Sequence, residues 1–173
     1  VGVVEQAPAA DAAWVGKRVV GEINIGCRHC AWCARGIKEH CDHRDVVGIR
    51  QHDGAFAEYL TLPAVNLHEV PGGMDDETAV FAEPVAAACR IFEQMTGEAS
   101  DRIAVVGDGR MGLLVAQVLK TAAPDVTVLG RHDSKLAVAR ALGLTTSLSD
   151  DSRAPAVRFD VVVDVTGRPD GLR

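Results

Sequence analysis

The stretch Val105-Val106-Gly107-Asp108-Gly109-Arg110-Met111-Gly112 decides the fold of this chain. It places a G-x-G-x-x-G motif directly after an apolar run, Arg102–Val106, and directly before an apolar-periodic segment, Met111–Ala122. In that context Gly107 permits a tight strand-to-helix turn, Gly109 lets the backbone approach a pyrophosphate, and Gly112 allows the helix to pack closely on the strand. The motif predicts a dinucleotide-binding βαβ unit, and a tight connection without a ligand is the alternative.

The residues after this motif continue to alternate between strand and helix patterns. The sequence predicts a strand at Val126–Leu129, a helix at Ser134–Leu142, a strong strand at Phe159–Val165 and a weaker one near Leu144–Leu148. Strands that alternate with helices form parallel sheets. We therefore expect a parallel sheet with the element order βαβαβ.

The first hundred residues are predicted to be mostly β. Arg18–Ile25, Ala55–Leu62 and Asn66–Val70 are short runs bounded by turn residues. A helix is expected to begin at Asp75, and a second one to run from Pro84 to about Met95.

A domain boundary is predicted in Thr96–Ser100, a polar, Gly-containing segment between two differently patterned halves. Residues 1–98 would form a β-rich domain, and residues 99–173 the nucleotide-binding one. The fold class is α/β.

Composition and charge exclude several classes of function. The chain has 173 residues, is 47% hydrophobic and carries a formal net charge of -6. Without a basic stripe, nucleic acid is not an expected partner. No segment reaches the ~20 consecutive apolar residues of a membrane span, so we expect a soluble, cytoplasmic protein with no membrane partner. Because the first residue is Val1, a targeting segment upstream stays open.

Four of the five cysteines fall within fifteen residues in the spacing C-x2-C-x2-C-x7-C. These are Cys27, Cys30, Cys33 and Cys41. Four thiolates close a tetrahedral shell, which is the ligand set of structural zinc. An iron–sulfur cluster would favour a last gap of three followed by Pro, whereas Asp42 follows a gap of seven here. Unligated thiols are the other alternative, and the neighbouring His29, His40 and His43 are expected at the surface.

The end of the second nucleotide-domain strand bears on the choice of cofactor. It reads Val128-Leu129-Gly130-Arg131-His132, where an NAD site would place an acid on the ribose 2′-hydroxyl. Arg131 offers a bidentate donor for a 2′-phosphate, which favours NADP; a solvated Arg131 is the alternative, and Asp133 keeps NAD open. Arg110 could reach a phosphate, whereas Asp108 would repel one unless it points away.

Glu83 is a carboxylate in an otherwise apolar segment, residues 79–86. Burying an unpaired carboxylate is costly, so this one should be paired, hydrogen-bonded or metal-bound. Its place before Pro84 predicts an extended conformation. A cap or an ordinary ion pair fits the sequence as well as a metal ligand does.

Together, four motifs resemble the zinc-dependent medium-chain alcohol dehydrogenases over essentially the whole chain. They are the four-cysteine loop, Asp53-Gly54-Ala55-Phe56-Ala57-Glu58-Tyr59, Glu83-Pro84 and Gly107–Gly112. The Glu-Pro pair looks most like the branch that contains polyol, threonine and glucose dehydrogenases. The resemblance implies part of a GroES-like, β-rich catalytic domain followed by the first half of a Rossmann doubly wound parallel sheet. It also implies assembly as a dimer or tetramer.

The resemblance also implies a role for each candidate residue. The four cysteines would bind the structural zinc in a projecting lobe, about residues 26–42. Glu83 would lie in or beside the shell of a catalytic zinc, as an auxiliary or exchangeable ligand, and it is the single catalytic candidate. The expected cofactor-binding residues are Gly107, Gly109, Arg110, Met111, Gly112, Arg131, Val165 and Thr166.

The implied activity is zinc-dependent hydride transfer between a polyol, sugar or amino alcohol and NAD(P). In this family a cysteine and a Gly-His-Glu motif that bind the catalytic zinc precede the structural cysteines, and neither occurs before Cys27. We therefore expect a partial sequence, truncated at both ends and inactive by itself. One alternative is a noncatalytic zinc- and dinucleotide-binding module. Another is a zinc-free quinone or enoyl reductase of the same superfamily, which has no need of four clustered cysteines.

Overall fold

A computed structural model describes residues 1–95, 101–149 and 158–169 of the chain. It divides into two compact units, Val1–Glu83 and Pro84–Arg173. The segment Thr96–Ser100, in which the sequence places the domain boundary, lies outside the described residues, so that boundary stays a prediction.

The first unit is built from short strands and short helical turns. Its strands are β1 (Gly2–Val3), β2 (Arg18–Gly21), β3 (Asn24–Ile25), β4 (Asp45–Val46) and β5 (Leu67–Glu69). Its α-helices are α1 (Ala31–Ala34) and α2 (Asp76–Ala79), and 3-10 turns lie at Ala9–Trp14, Lys38–His40 and Ala64–Asn66. The strands form two antiparallel sheets, one in the order β1-β2-β5 and one that pairs β3 with β4. The β structure predicted for this half is present only as these short strands.

The expectation of one continuous strand at Arg18–Ile25 is wrong. The segment breaks after Gly21, and β2 and β3 belong to different sheets. The buried side chain of Asn66 explains the break, because its amide nitrogen donates to the carbonyl oxygens of Glu22 at 3.1 Å and Asn24 at 2.8 Å. At this break, the Asn66 side chain satisfies carbonyl groups that a neighbouring strand would otherwise satisfy.

The expected strand at Ala55–Leu62 does not form either. Its largest side chains, Phe56 and Tyr59, are 111% and 76% exposed. A strand of this length needs an apolar face packed against a neighbour, and among residues 1–95 nothing covers these two rings.

The second unit has the predicted alternation of helix and strand. Its helices are α3 (Ala82–Gln94), α4 (Arg110–Lys120) and α5 (Asp133–Ala141), and its strands are β6 (Ile103–Val106), β7 (Val126–Gly130), β8 (Thr145–Leu148) and β9 (Val161–Asp164). The four strands are parallel in the order β8-β7-β6-β9. The last strand is shorter than the predicted Phe159–Val165, and the weak strand near residue 145 is present.

The core of the second unit lies on both sides of β6 and β7. These central strands are fully buried at Val105, Val126 and Val128. Helix α4 covers them with its Val115–Leu119 stripe, α5 adds Leu136, and α3 contributes Ala88 to the same core. Burial on both faces is what parallel strands require.

The strand order places a natural crevice at the carboxyl end of β6. Its neighbours are β7 on one side and β9 on the other, so the chain crosses over in opposite directions from this strand. Ligands of open α/β sheets bind at such a switch point. The described helices include none that is long and apolar enough to cross a membrane.

Candidate metal centre and cofactor site

The four clustered cysteines converge in a lobe between β3 and β4. Their four Sγ atoms all lie within 4.8 Å of one another, and those of Cys27 and Cys33 are 4.0 Å apart. Tetrahedral zinc with Zn–S bonds of about 2.3 Å needs sulfur atoms about 3.8 Å apart. The donor set therefore fits zinc after a small contraction.

Local backbone features close this lobe around the sulfur atoms. Cys30 begins α1, and its Sγ accepts the Cys33 backbone N–H at 3.4 Å. The Sγ of Cys41, which is fully buried, accepts the Cys27 backbone N–H at 3.5 Å. Gly36 turns the chain with a φ of 75°. Gly26 is needed for space, since a Cβ there would lie 2.7 Å from the Cys33 Sγ.

The electrostatics of the lobe suit a cation. Backbone N–H groups of His29 and Cys30 lower the pKa of the Cys27 thiol, whereas burial and the neighbouring thiols raise the pKa of Cys33. Four sulfurs at this separation cannot all carry negative charge without a counter-ion. A dication held by all four would relieve that conflict.

The three neighbouring histidines lie at the surface, as expected. They are His29, His40 and His43, and none of them belongs to the metal-ligand cluster. The Nδ1 atom of His29 lies 2.7 Å from the Cys27 carbonyl oxygen instead. The lobe therefore has a complete set of thiol ligands.

An ion cluster ties the lobe to the β-sheets of its unit. Glu22, which follows β2, contacts Lys38 in the lobe, and its Oε1 lies 2.6 Å from the Nε2 atom of His68 on β5. Burial raises the pKa of Glu22, but hydrogen bonds from Lys38 and His68 outweigh it and hold the pKa below its usual range. The sequence did not reveal this contact, because its members are far apart along the chain.

The extended conformation expected for Glu83 is wrong. The residue is exposed, and it lies in the first turn of α3 rather than in an extended segment. Pro84 is compatible with that turn because the first turn of a helix needs no backbone donor. Among the described residues the four cysteines are the one cluster of three or more potential ligands, so the metal and catalytic roles of Glu83 stay predictions.

The glycine motif forms the turn between β6 and α4. Gly107 has a φ of 126°, a region that side chains rarely adopt. A Cβ on Gly112 would lie 2.0 Å from the Gly107 carbonyl oxygen, whereas a Cβ on Gly109 would meet nothing within 4 Å. Two of the glycines are thus required by packing. The third leaves open space at the start of α4, where an anion can approach backbone N–H groups.

The other predicted cofactor residues lie at the same edge of the parallel sheet. Arg110 and Met111 begin α4 and are exposed. Val165 and Thr166 follow β9, and the Val165 Cγ2 lies 3.2 Å from the Cβ positions of Gly107 and Gly112. Arg131 is exposed at the end of β7. The structure brings the glycines and Val165 together, while cofactor binding by these residues stays a prediction.

Asp108 points away from the start of α4 and toward the end of β7. Its Oδ2 accepts the backbone N–H groups of Arg131 at 3.0 Å and His132 at 2.7 Å, and it lies 2.9 Å from the His132 Nδ1. Burial raises the pKa of Asp108, but the hydrogen bonds from His132 and Arg131 bring it below its usual value. Lys135 joins the cluster, with its Nζ 3.9 Å from Oδ1.

The sequence reading missed His132 and Lys135 as parts of this cluster. The sequence did contain a signal for this cluster: a polar residue inside the G-x-G turn, combined with a glycine at the end of the next strand. The two belong together because Gly130 leaves room for the side chain of Asp108.

Comparison with known proteins gives the same reading of both units. The model of the alcohol dehydrogenase GroES-like domain matches residues 1–72. L-threonine 3-dehydrogenase of Coxiella burnetii (strain Dugway 5J108-111) is 30% identical over 184 residues, which cover 99% of this chain and 52% of that protein. D-altritol 5-dehydrogenase of Agrobacterium fabrum (strain C58 / ATCC 33970) is 35% identical over 159 residues, covering 88% of this chain and 47% of that protein.

A solved structure extends the match to the fold. The short chain alcohol dehydrogenase rspB from E. coli CFT073, complexed with cofactor NADH, superposes with a TM-score of 0.85 and 28% identity. It covers 97% of this chain and 52% of that one. Over nearly its whole length, the chain is similar to zinc-type medium-chain alcohol dehydrogenases. The resemblance and the fold expected from the sequence, a GroES-like portion followed by part of a Rossmann sheet, are confirmed. The chain spans about half the length of these relatives.

Proposed function

We propose that the whole protein is a zinc-dependent oxidoreductase that transfers hydride between an alcohol and NAD(P). The observation that carries this proposal is the presence, in one chain, of a complete four-thiol site and an open glycine turn at the switch point of a parallel sheet. Relatives named for threonine and altritol support a primary or secondary alcohol, such as a polyol, sugar or amino alcohol, as the substrate.

In this proposal the four-cysteine lobe has a structural role. Four thiolates fill the coordination shell of zinc and leave no position for water or substrate. The lobe would hold its part of the first unit in shape, and the chemistry would take place elsewhere.

The glycine turn would hold the cofactor. The open face at Gly109 and the N-terminus of α4 would bind the pyrophosphate, and Gly107, Gly112 and Val165 would keep the turn rigid by packing. Arg131 would contact the adenosine ribose, with a preference for the 2′-phosphate of NADP. The bound nicotinamide supplies the hydride acceptor or donor.

Glu83 is the one residue of this chain that we propose near the reacting atoms. Its exposed carboxylate leaves it available as an auxiliary or exchangeable ligand of a catalytic zinc. That zinc would lower the pKa of the bound alcohol and so favour loss of hydride.

We also propose that the whole protein is a homo-oligomer, a dimer or tetramer, that works in the cytoplasm. The oligomer rests on the family resemblance. The reducing cytoplasm keeps clustered cysteines available as thiolates rather than disulfides, which suits the four free thiols of the lobe.

The experiment compares this chain with the longer protein read from its gene. The purified chain should contain about one zinc per molecule by elemental analysis and show no alcohol-dependent reduction of NAD or NADP, because a closed four-thiol site cannot activate an alcohol. The longer protein should oxidise at least one polyol, sugar or amino alcohol.

Three outcomes would contradict this assignment. Rapid turnover by the short chain would show that its own residues complete an active site. A longer protein that binds zinc and dinucleotide without any turnover would be a binding module, and one that reduces quinones without zinc would be a reductase of the same superfamily.

A further inference from the structure

Asp108 occupies the volume in which the side chain of residue 130 would lie. A Cβ built on Gly130 would fall 2.6 Å from the Asp108 Cβ and 2.8 Å from its Oδ2. No side chain fits at residue 130 while Asp108 is in place. The acid that a dinucleotide site usually carries at the end of this strand, on the ribose 2′-hydroxyl, is therefore excluded by a residue of the glycine turn itself.

The carboxylate of Asp108 is already engaged by its neighbours. Its side chain is 10% exposed, and the two backbone N–H groups that follow β7 donate to Oδ2. The His132 Nδ1 lies 2.9 Å from Oδ2 and 3.2 Å from Oδ1. A carboxylate has about four acceptor positions, so this one organises the loop after β7 and has little capacity left for a ribose hydroxyl.

The same contacts gather cationic side chains around the end of β7. His132 and Lys135 are drawn to Asp108, their side chains are 56% and 51% exposed, and Arg131 stands beside them. The nearby Asp133 is paired with Arg140 at 2.9 Å. Arg131 and Lys135 carry two positive charges against the one negative charge of Asp108, which leaves one net positive charge at this edge. An anion therefore suits the exposed side of the cluster better than a neutral hydroxyl.

We propose that Asp108 is a positioning residue that holds Arg131, His132 and Lys135 in place for the 2′-phosphate of an adenosine ribose, and so sets a preference for NADP over NAD. The inference rests on the proposed function, because it assumes that the glycine turn binds a dinucleotide. It goes further by naming the group that fixes the choice between the two cofactors.

The test measures binding rather than turnover, with two adenosine probes that differ by one phosphate. Isothermal titration of the zinc-loaded chain with 2′,5′-ADP and with 5′-AMP gives the ratio of their dissociation constants. We expect 2′,5′-ADP to bind at least about tenfold tighter, because a charge-assisted phosphate contact is added. Arg131→Ala should bring the ratio close to one.

Variants at Asp108 separate positioning from general stability. In Asp108→Ala the loop after β7 loses the carboxylate that accepts its N–H groups. The two dissociation constants should then differ by no more than about threefold, while 5′-AMP still binds. Asp108→Asn keeps one acceptor oxygen and should recover part of the preference. Asp125→Ala removes an exposed carboxylate of the same unit and should leave the ratio at its wild-type value. Thermal unfolding of each variant establishes that it is folded.

The outcomes distinguish failure of the proposed role of Asp108 from failure of the proposed dinucleotide site. Tighter binding of 5′-AMP than of 2′,5′-ADP, or an unchanged ratio in folded Asp108→Ala, would overturn the role of Asp108 while the dinucleotide site stands. Failure of the folded wild-type chain to bind either probe would overturn the dinucleotide site and the inference with it. Loss of both probes in Asp108→Ala alone would also overturn it, since a selective effect is required.

Discussion

At the scale of single residues, two glycines of one motif have different physical requirements. A Cβ on Gly112 would lie 2.0 Å from a backbone oxygen, whereas one on Gly109 would meet nothing within 4 Å. Gly109 also has an ordinary φ of -80°. Packing therefore requires glycine at residue 112, whereas only a bound ligand would require glycine at residue 109.

This contrast predicts that an alanine substitution affects stability strongly at Gly112 and only weakly at Gly109. Gly112→Ala should lower the free energy of unfolding by about 3 kcal/mol, because a backbone carbonyl must move. The free energy of unfolding of Gly109→Ala should stay within about 1 kcal/mol of the wild-type value, because the reduced freedom of the unfolded chain offsets a weaker N-cap. Urea unfolding measures both. Titration with 5′-AMP should show weaker binding to Gly109→Ala, and undiminished binding there would contradict the role of the open turn.

Asp108 gives a pH dependence with a definite sign. Its folded pKa is lower than its usual value because the hydrogen bonds from His132 and Arg131 outweigh burial, which alone would raise it. A lowered pKa contributes stability that is complete above the unfolded value of about 3.9 and is lost as pH falls through the folded value. The wild type should therefore exceed Asp108→Asn in stability more at about pH 7 than at about pH 3.

Far-ultraviolet circular dichroism is the measurement, because α3, α4 and α5 carry most of the helical residues of the described chain. Urea unfolding of the two proteins at both pH values gives the difference in stability. A difference that grows toward acid would mean that Asp108 has a raised pKa in the folded protein.

At the scale of elements, the zinc lobe is too short to hold its own shape. Helix α1 has four residues, and the 3-10 turn Lys38–His40 has three. Isolated helices of this length are not stable in water. The ring of Trp32 lies 5.4 Å from that of His40 and 5.2 Å from the Arg35 guanidinium, so the tryptophan reports on the packing of the lobe.

Removal of the metal should therefore unfold the lobe and leave the second unit intact. A strong chelator should change the fluorescence of Trp32, while the binding of 5′-AMP persists because the second unit has a core of its own. Trp14→Phe removes the other tryptophan of the chain and isolates the signal.

The matched controls are two cysteine substitutions. Cys41→Ser removes a buried sulfur of the cluster and should abolish zinc retention, whereas Cys89→Ser alters an exposed thiol on α3 and should leave it unchanged. Equal zinc content in Cys41→Ser and the wild type would show that the four-thiol shell is not the metal site.

At the scale of the whole molecule, the parallel sheet ends in a strand with an exposed apolar residue. Strand β9 pairs with β6, and no further strand pairs with β9 among residues 101–149 and 158–169. Val162 on this strand is 49% exposed. An apolar strand edge is a site for association between chains.

We predict that Val162→Lys makes the chain more soluble without weakening its binding of 5′-AMP. A lysine on an edge strand discourages strand pairing between molecules. Light scattering during concentration of the protein measures the effect. The comparison is Val138→Lys, which places the same charge at an exposed position of α5, and an equal gain from that variant would mean that the edge has no special role.

Much of the molecule follows from the sequence by itself, because spacing and backbone conformation are local properties. The gaps between four cysteines predict a four-thiol lobe, and glycines between an apolar run and a helical pattern predict the turn after β6. The alternation in residues 102–148 predicts the order of strands and helices, since these elements are long enough for their periodicity to be read.

Contacts between distant residues were decided by the tertiary structure alone. Asn66 divides the strand predicted at Arg18–Ile25 by reaching a carbonyl 44 positions away, and Asp108 reaches the backbone N–H of His132 24 positions away. The exposure of Glu83 likewise depends on what packs around α3. A sequence pattern shows which side chains are available, but only the folded chain determines which of them come into contact. The preference for NADP over NAD that we propose depends on one such contact, between Asp108 and the loop after β7.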